Sequence, residues 1–570
     1  MYHTVGDLKN KIKMINIRWL NEFSKGFLEK DYLVSGQSVE NRIQVVGDTA
    51  EQILKSQCKN PEDLAFFDGY SQKLQSYISK GWISLSTPMW ANFGTDRGLP
   101  ISCFGSYIDD SVESILDTIS EIGSMCKYGG GTSAYFGAIR SRGSTIKGGG
   151  ISNGTKPFLE PFQSVANTIN QGNIRRGYFA AYIDIYHGDI NEWLNIRAEG
   201  DPIQHITWGV SVPTWWLNQM REGDADKRKI WARVIQKRFE TGLPYIFFTD
   251  NANNGESVPE CYKGKNLIKA SQMCSEVVLP SSKEYTFVCD LGSLNDLYFD
   301  EYRDTDCVEV LTYLLDAAMS EFIEKASKIK HFERAVKFSK EHRALGIGRL
   351  GYHSLLQSRM IPFESLQARH LNIEIQKNIQ EKSLKASKLL SEMFGECLNT
   401  KGLGRRNTTT QAIAPTTSSA FIMQVSQSIE PWSSNYFIKD LAKGKYTIKN
   451  KYLENLLEEK GKNTDEVWNS IKINHGSVLH LDFLTNEEKL VFKTAKEINQ
   501  EECIIQAAQR QKYIDQGQSL NLFISADKTA KEVNYLMLKA HDMGIKSIYY
   551  QHNSSAVGNL TKDLTCVSCE

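Results

Sequence analysis

The chain has 570 residues, enough for three or four average domains or for one large α/β barrel. It contains 67 lysines and arginines and 67 aspartates and glutamates, so no global field attracts nucleic acid or an anionic membrane, and the expected partner is a small molecule or another protein. No stretch approaches the ~18–20 apolar residues of a membrane span, and the first residues lack the apolar core of a signal peptide, so we expect a cytoplasmic protein.

The first predicted elements are helical and charged and occupy residues 1–80, with amphipathic periodicity at 8–27 and 62–78. From residue 81 the pattern becomes mixed α/β. Gly544 separates the last predicted helix from the last predicted strand, and repetition of such an α-to-β unit favours an α/β sheet or barrel. The later predicted helices are 112–125, 308–326, 370–394, 487–515 and 530–543, and the predicted strands include 245–248 and 545–550.

Three motifs suggest functions that their context excludes. Residues 346–351 match GxGxxG, but no buried strand precedes them and no acidic residue follows about 20 positions later in a βαβ context. The glycine runs 129–131 and 148–150 lack the Lys-Ser/Thr of a P-loop, which favours tight turns or a backbone cradle for a ligand. The eleven histidines form no HExxH motif, so we expect no catalytic metal held by this chain.

The eleven cysteines have no regular spacing, which excludes a secreted disulfide scaffold and indicates buried thiols, some of them reactive. Two of them, Cys566 and Cys569, form a Cys-x-x-Cys motif in a polar tail, where a packed core is not expected. Thiol exchange with an external reductant is one interpretation. Half of a zinc site completed by another chain is the alternative.

Several short motifs become specific when their order is considered. They are Leu85-Ser-Thr-Pro-Met89, Ser102-Cys103, Ser271-Gln-Met-Cys274-Ser-Glu276, Cys289, Pro415-Thr-Thr-Ser-Ser419, Tyr549-Tyr550 and the terminal Cys566-Val-Ser-Cys569. Each is common by itself, but together and in this order they resemble the large, catalytic subunit of class I ribonucleotide reductase. The resemblance extends from the region of residue 30 to the end of the sequence.

The resemblance implies a fold, a reaction and partners. The fold is a ten-stranded α/β barrel over 81–552, preceded by a helical region over 1–80 and followed by a flexible redox tail over 553–570. The reaction is thiyl-radical reduction of ribonucleoside 5′-diphosphates to deoxynucleotides for DNA synthesis. A separate small (beta) subunit would hold the metal or radical cofactor, and thioredoxin or glutaredoxin would supply electrons. We also expect a homodimer when effector is bound, no nucleic-acid or membrane partner, and no N-terminal ATP-binding cone, since only 102 residues precede Cys103.

The same resemblance gives the cysteines unequal roles. Cys274 would be the transient thiyl radical, although a small buried hydrophobic residue is the commoner role of a cysteine. Glu276 would be the general base toward the 3′-hydroxyl, because it lies two residues on, where a strand turns it to the same face. Cys103 and Cys289 would be the redox pair that supplies two electrons, with a permanent disulfide or unrelated core thiols as the alternative. The terminal Cys-x-x-Cys would then restore that pair.

Tyr549 and Tyr550 would relay the radical, with Tyr549 nearer Cys274 and Tyr550 facing the small subunit, although adjacent tyrosines are ordinarily a core or interface pair. Gln272 occupies the position where the family usually has asparagine. It keeps the amide but adds a methylene, which would displace hydrogen bonds to Glu276 and the ribose by about 1 Å. Two further departures concern the effector region, where Lys147 replaces a common arginine and Arg176 a usual glycine.

By resemblance, two further sets of residues bind nucleotides. Residues 415–419 offer hydroxyls and backbone N–H groups suited to a diphosphate at a helix start, with an ordinary Ser/Thr helix cap as the alternative. A deoxynucleoside triphosphate or ATP would be the specificity effector, sensed by the loop 171–177, whose arginines could instead be solvated surface charge. The substrate set is Thr87, Ser102, Gly131, Pro415, Thr416, Thr417, Ser418 and Ser419. The effector set is Asp110 toward the nucleoside, Arg140 and Lys147 toward phosphate, Ile146, and Arg175 in the loop.

Two alternative functions remain at this point. An adenosylcobalamin-dependent reductase would share the three central cysteines but would not need Tyr549 and Tyr550. A catalytically silent homologue that binds nucleotides or a partner is motivated by Gln272, although such a protein would have no use for all five cysteines.

Overall fold

The computed structural model describes residues 16–172, 176–441, 444–525 and 527–553. Its centre is a nine-stranded sheet of short strands, most of them buried at nearly every position, as expected for strands covered on both faces. The strands are β1 (Ile83–Leu85), β2 (Cys103–Tyr107), β3 (Gly131–Tyr135), β4 (Tyr178–Asp184), β5 (Thr207–Val212), β6 (Tyr245–Phe248), β7 (Phe287–Asn295), β8 (Leu345–Leu350), β9 (Tyr436–Leu441), β10 (Gly444–Lys449), β11 (Leu522–Ile524), β12 (Ser547–Ile548) and β13 (Gln551–Asn553).

Helices connect and cover these strands. In the first half of the chain they are α1 (Glu22–Asp31), α2 (Val39–Gln57), α3 (Pro61–Phe66), α4 (Tyr70–Ser79), α5 (Thr87–Asn92), α6 (Val112–Lys127), α7 (Leu159–Thr168), α8 (Ile190–Trp193), α9 (Thr214–Glu222), α10 (Ala225–Thr241) and α11 (Thr249–Asn254). In the second half they are α12 (Phe299–Tyr302), α13 (Cys307–Ala326), α14 (Glu333–His342), α15 (Tyr352–Ser358), α16 (Leu366–Phe394), α17 (Thr417–Met423), α18 (Lys451–Glu459), α19 (Asp465–Ile473), α20 (Asn486–Val491), α21 (Gln500–Gln511) and α22 (Ala530–Asp542).

The sheet follows the order β1-β7-β2-β3-β4-β5-β6-β12, and β8 also pairs with β7. Strands β2 to β6 are parallel neighbours, because each connection between them crosses over through a helical segment. β7 is antiparallel to β2, and β12 is antiparallel to β6. The run of parallel strands is therefore flanked at both ends by strands of the opposite direction.

Two extended segments continue the hydrogen-bonding pattern beyond β8. Ile347 forms a parallel bridge with Gln411, and Ile413 forms one with Gln518. The chain after Gln518 enters β11, which pairs in parallel with β13 directly after β12. The strand pairing therefore continues from β8 through these two segments toward β12, which pairs with β6.

Most predicted elements after residue 81 are confirmed within a few residues, as α6, α13, α16, α22 and β6 show. The single helix predicted at 487–515 is wrong, because α20 ends at Val491 and Asn499 caps a new helix by accepting a hydrogen bond from the Glu501 N–H at 3.0 Å. The helix predicted at 62–78 is divided between α3 and α4 at Gly69, whose φ is +77°. Residues 8–15 of the predicted helix 8–27 lie outside the described residues, and α1 starts only at Glu22.

The helices before residue 80 pack into the same hydrophobic core as the central sheet. A second, smaller core lies between Tyr436 and Phe492, where α18 and α19 cover the hairpin of β9 and β10. Its buried members are Leu453, Leu456, Leu457, Trp468, Ile471, Val478, Leu481, Leu484, Val491 and Phe492.

Candidate active site

Two cysteines that are far apart in sequence lie side by side on neighbouring strands of the sheet. Cys103 of β2 and Cys289 of β7 are register partners in an antiparallel pair. Opposite residues of such a pair have Cα atoms about 4.5–5.5 Å apart, within the range that a disulfide accepts. Both are present as thiols; Cys103 is half-buried and Cys289 is buried. The fold therefore places the two sulfurs where they can be oxidised to a disulfide.

The Cys289 thiol lies in a polar but closed environment. Burial raises its pKa well above the ordinary value, while a hydrogen bond from Gln516 acts in the opposite direction. The donor is the Gln516 Nε2 group, 3.2 Å from Cys289 Sγ. The charges of Cys103 and Glu276 also raise the Cys289 pKa, which shows that these three groups lie close together.

Residues 272–276 form a turn, so the strand expected for Cys274 and Glu276 is wrong. Ser275 has φ +66°, a left-handed conformation that breaks the two-residue alternation of a strand. The turn is closed by a hydrogen bond from the Cys274 N–H to Gln272 Oε1. It is held from outside by the Tyr182 hydroxyl, which donates to the Gln272 carbonyl at 2.8 Å.

Another residue, Ser519, contacts both the Cys274 backbone and the Glu276 side chain of this turn. The Ser519 hydroxyl contacts the Cys274 carbonyl and donates to Glu276 Oε2 at 2.8 Å. Glu276 itself is 1 % exposed, so its carboxyl group is held in a water-poor interior by a named donor. The arrangement fits a general base that works beside the Cys274 thiol.

Gly131 brings the cysteine pair close to the turn. It is the β3 register partner of Cys103, and a Cβ at this position would lie 2.6 Å from the Met273 side chain. A larger residue would therefore displace the end of the Met273 side chain, which is the neighbour of Cys274 in the chain. Glycine is needed here for close approach rather than for a special backbone conformation.

The Gln272 amide has an unused donor. Its Oε1 atom accepts the Cys274 N–H, but its Nε2 group is buried without a hydrogen-bond partner among the described residues. A buried amide N–H without a partner is destabilising by about 1–3 kcal/mol. The turn thus presents an N–H group beside Cys274 that a polar ligand can satisfy.

Three tyrosine rings lie in contact at the end of β12. The ring centroids of Tyr549 and Tyr550 are 4.5 Å apart, and Tyr245 of β6 lies 4.9 Å from Tyr549 and 5.1 Å from Tyr550. Burial raises the pKa of Tyr182 well above its ordinary value, and the charges of Cys274 and Tyr550 add to this rise. Tyr182 therefore lies near both the tyrosine cluster and the Cys274 turn.

The hydroxyl-rich motif 415–419 leads into α17. Thr416 has φ +56° and its Oγ1 atom accepts the Ser428 N–H at 2.8 Å, while Ser419 donates to the Leu85 carbonyl at 3.2 Å. Pro415 and Thr417 flank Thr416 in the chain. The hydroxyls of Thr416 and Ser419 thus already have hydrogen-bond partners in the protein.

Tyr32 joins two of the predicted substrate residues. Its hydroxyl donates to Ser418 Oγ at 3.2 Å and lies 3.4 Å from Thr87 Oγ1, which donates to it. Tyr32 is 3 % exposed. Ser102 directly precedes β2, and its carbonyl accepts the Gly131 N–H at 2.7 Å. The structure therefore gathers Thr87 and Ser418 through a tyrosine from the helical N-terminal region.

Part of the predicted effector set is also brought together. Asp110 accepts hydrogen bonds from the Arg140 backbone N–H at 3.1 Å and from its Nε at 2.8 Å. Ile146 and Lys147 are exposed in a tight hairpin, in which the Ile146 N–H donates to the Gly150 carbonyl at 3.1 Å.

Three of the predicted functional residues are not described by the structure. Arg175, Cys566 and Cys569 lie outside the described residues. Within the described ranges, no group of three His, Cys, Asp or Glu side chains is arranged to hold a metal ion. No helix in those ranges is long and apolar enough to cross a membrane.

Five residues that contact this site were not found from the sequence: Tyr32, Tyr182, Tyr245, Gln516 and Ser519. Tyr245 could have been found, because it starts a predicted strand and is aromatic at a strand end. The others sit in ordinary contexts, and only tertiary packing brings them to the cysteines and hydroxyls.

Comparison with known proteins agrees with this geometry. The family model described as "Ribonucleotide reductase, barrel domain" matches residues 101–226, 217–402 and 398–551. A Frog virus 3 protein assigned as a ribonucleoside-diphosphate reductase large subunit is 34 % identical over 533 residues, covering 88 % of this chain and 92 % of the viral protein. The ribonucleoside-diphosphate reductase large subunit of Invertebrate iridescent virus 3 is 33 % identical, covering 91 % of this chain and 94 % of its own.

A solved structure is more similar still. The class Id ribonucleotide reductase alpha subunit of Actinobacillus ureae is 51 % identical, with a TM-score of 0.88, and the match covers 95 % of this chain and 98 % of that one. At this identity the likeness extends beyond the general fold to the sequence that builds it. The chain therefore belongs to the ribonucleotide reductase large-subunit family.

Proposed function

We propose that this chain is the catalytic subunit of a ribonucleoside-diphosphate reductase, which reduces ribonucleoside 5′-diphosphates to 2′-deoxyribonucleotides. One observation carries the proposal: Cys103 and Cys289 are register partners on neighbouring strands, close enough to form a disulfide. A dithiol beside a buried turn that carries a carboxyl group and a third thiol provides the groups that this reduction needs.

The proposed reaction assigns one step to each group. Cys274, as a thiyl radical, removes the hydrogen from the ribose C3′ and returns it at the end. Glu276 accepts the 3′-hydroxyl proton while the 2′-hydroxyl takes a proton from one of the paired thiols and leaves as water, and Glu276 returns its proton to the 3′-oxygen when the C3′ hydrogen is restored. Cys103 and Cys289 supply two electrons and two protons and become a disulfide.

We assign substrate binding to the hydroxyl cluster and the turn. Thr87, Ser102, Gly131 and residues 415–419 would surround the substrate, with the diphosphate near the start of α17. The shared contact of Thr87 and Ser418 with Tyr32 supports this position. The buried Nε2 group of Gln272 would donate to a ribose hydroxyl, which would satisfy its unused hydrogen-bonding capacity.

The radical would arrive through the tyrosines from a separate small subunit that carries the metal or radical cofactor. Tyr549 is assigned nearer Cys274, because Ser547, two residues before it, donates to the Ser275 carbonyl at 2.7 Å. Tyr550 would face the small subunit. The ring contacts of both tyrosines with Tyr245 support a connected aromatic path.

We propose that the sheet closes as a ten-stranded barrel within a catalytic domain over 81–552. The members would be β2 to β8, β12 and the two extended segments around Gln411 and Gln518, whose bridges support the closure. The region 1–80 would support the substrate site. The tail 553–570 would carry Cys566 and Cys569, which exchange electrons between the buried pair and thioredoxin or glutaredoxin.

The effector site is proposed around Asp110 and Arg140, with Ile146, Lys147 and Arg175 completing it. Its ligand would be a deoxynucleoside triphosphate or ATP. Helix α6 follows Asp110 directly and exposes Val112 and Leu116 by 59 % and 57 %. This exposed apolar pair supports a homodimer contact beside the effector site.

The test is reduction of CDP by the purified chain with its small subunit and dithiothreitol. We expect dCDP to form only when both subunits are present. In a single turnover without dithiothreitol, peptide-resolved alkylation should find a Cys103–Cys289 disulfide. Failure to form dCDP, or formation with adenosylcobalamin and no small subunit, would reject the proposal.

A further inference from the structure

Gln516 is a buried residue with an unusual set of contacts. It is fully buried, and its Oε1 atom accepts the Val278 N–H at 3.1 Å, which fixes the orientation of the amide. Its Nε2 group lies 2.9 Å from the Leu345 carbonyl, 3.0 Å from Thr409 Oγ1 and 3.2 Å from Cys289 Sγ. Three acceptors therefore compete for two N–H hydrogens.

The competition depends on the charge of the sulfur. One hydrogen has the Leu345 carbonyl as its acceptor, and the Thr409 hydroxyl donates its own hydrogen to that carbonyl at 3.0 Å. The second hydrogen of Gln516 is shared between Thr409 Oγ1 and Cys289 Sγ. A neutral thiol is a weak acceptor, whereas a thiolate accepts strongly, so this hydrogen bond strengthens as negative charge develops on Cys289.

The two cysteines also differ in access. Cys103 is half-buried, whereas Cys289 is 1 % exposed at the Gln516 side of the pair. When the pair is a disulfide, an incoming thiolate therefore reaches Cys103 Sγ. A new S–S bond forms there, the Cys103–Cys289 bond breaks, and its electron pair leaves on Cys289 Sγ. A second thiolate of the same dithiol then releases Cys103, both cysteines take protons, and the dithiol becomes a disulfide.

We propose that the Gln516 amide stabilises the Cys289 thiolate as the leaving group whenever the Cys103–Cys289 disulfide is reduced, so that Cys103 is the sulfur attacked. This inference rests on the proposed redox role of the pair. A preorganised N–H donor aimed at a developing charge in a dry site acts as an oxyanion hole does for oxygen.

The other charged groups around Cys289 act against its thiolate. Cys103 faces it from β2, Asp290 follows it on β7, and Glu276 faces it from the turn, and each raises the Cys289 pKa in addition to the effect of burial. The hydrogen bond from Gln516 lowers that pKa. Without the amide, the leaving thiolate would meet burial and the nearby carboxyl groups of Asp290 and Glu276, since Cys103 is uncharged while it is bonded to the incoming thiol.

The first test uses the full chain with the pair oxidised by diamide, so that neither substrate nor small subunit is needed. We expect Gln516→Met to slow reduction by dithiothreitol about 10- to 100-fold, the range for losing a hydrogen bond to a charged group. Thr409→Val is the matched control. It removes the competing acceptor, so dithiothreitol should reduce its Cys103–Cys289 disulfide at the parental rate or faster. Reduction of Gln516→Met at the parental rate, or equal slowing in both variants, would overturn the proposal.

The second measurement separates the amide's electrostatic role from packing. A mixed disulfide of 2-mercaptoethanol on Cys103 closes when the Cys289 thiolate attacks it, so its closure rate follows the Cys289 titration. We expect Gln516→Met to move this pH profile upward and Thr409→Val to leave it or move it downward. An unmoved profile, or a trapped adduct found on Cys289 instead of Cys103, would contradict the inference.

Failure of the wider proposal would look different. A chain whose disulfide reduction depends on Gln516 but which forms no dCDP with its small subunit would reject the reductase function while keeping the inference. Normal dCDP formation with an unmoved Gln516→Met profile would reject the inference alone.

Discussion

Two buried polar clusters of this protein differ in whether their hydrogen-bonding groups all have partners. Around Asp316 of α13, which is fully buried, the carboxylate accepts hydrogen bonds from Arg343 Nε at 2.8 Å, Arg406 Nε at 3.0 Å and Asn407 Nδ2 at 3.0 Å. Around Cys274, the Gln272 Nε2 group has no partner among the described residues. Burial of polar groups is common to both, whereas unused hydrogen-bonding capacity occurs at the cysteine turn.

The pKa directions teach the same lesson. Burial alone would raise the Asp316 pKa, but the charges of Arg343 and Arg406 outweigh it and hold that pKa well below its usual range. Burial raises the Cys289 pKa, and the group that opposes this rise is the uncharged amide of Gln516. The charged form of Asp316 is therefore stabilised by arginines, whereas the charged form of the Cys289 thiol is disfavoured by its surroundings.

The largest expected effect comes from Cys274→Ser, which should reduce turnover of CDP to background. A serine hydroxyl cannot replace the thiol, because its O–H bond is too strong for reversible hydrogen exchange with the ribose C–H. Cys503→Ser is the matched control, since Cys503 and Cys274 are both 6 % exposed. It should keep most of the turnover. Parental turnover in Cys274→Ser would show that the turn is structural, like the Asp316 cluster.

Asp316→Asn should lower the free energy of unfolding by about 3–5 kcal/mol, because it leaves two arginines buried without a counter-charge. Urea unfolding at neutral pH measures this. Turnover per folded molecule at low temperature should stay near the parental value, since no atom of the proposed chemistry touches Asp316. Loss of turnover without loss of stability would reverse the comparison.

The sign of the pH effect follows from the lowered Asp316 pKa. The stabilisation is fully present above the unfolded-state value of about 3.9 and is lost as pH falls toward the lower folded-state value. Between neutral pH and acid, the parent should therefore lose more stability than Asp316→Asn. If the free energy of unfolding fell equally with pH in both proteins, Asp316 would not be the source of the pH dependence.

The sequence predicted the residue types at the centre better than their geometry. Cys103 and Cys289 were paired through family resemblance, because no local pattern specifies which strands become neighbours. The turn at Cys274 was missed since a positive φ at Ser275 has no signature in a non-glycine residue. Long amphipathic helices such as α13 and α16 were predictable, because their apolar periodicity is local.

Gln272→Met should lower kcat/KM for CDP about 5- to 150-fold, equivalent to about 1–3 kcal/mol for a lost hydrogen bond whose partner stays unsatisfied. Methionine keeps the length of the side chain but donates nothing. The free energy of unfolding should fall as well, because methionine cannot accept the Cys274 N–H that Gln272 Oε1 accepts, so kcat/KM is compared per folded molecule. An unchanged kcat/KM would mean that the unused donor is only a packing defect, which would weaken the contrast with Asp316.

The smallest expected effect concerns Tyr32, whose hydroxyl contacts those of Thr87 and Ser418. Tyr32 donates to Ser418 Oγ at 3.2 Å, so in the proposed substrate site the Ser418 hydrogen would point at a phosphate oxygen. Tyr32→Phe should raise KM for CDP about 2- to 12-fold with kcat preserved, which matches one neutral hydrogen bond of about 0.5–1.5 kcal/mol. A fall in kcat at constant KM would instead place Tyr32 in the chemical step. Tyr70→Phe, which removes a buried hydroxyl bonded to the Val310 carbonyl at 2.8 Å, should leave both constants unchanged, because that hydrogen bond is only structural.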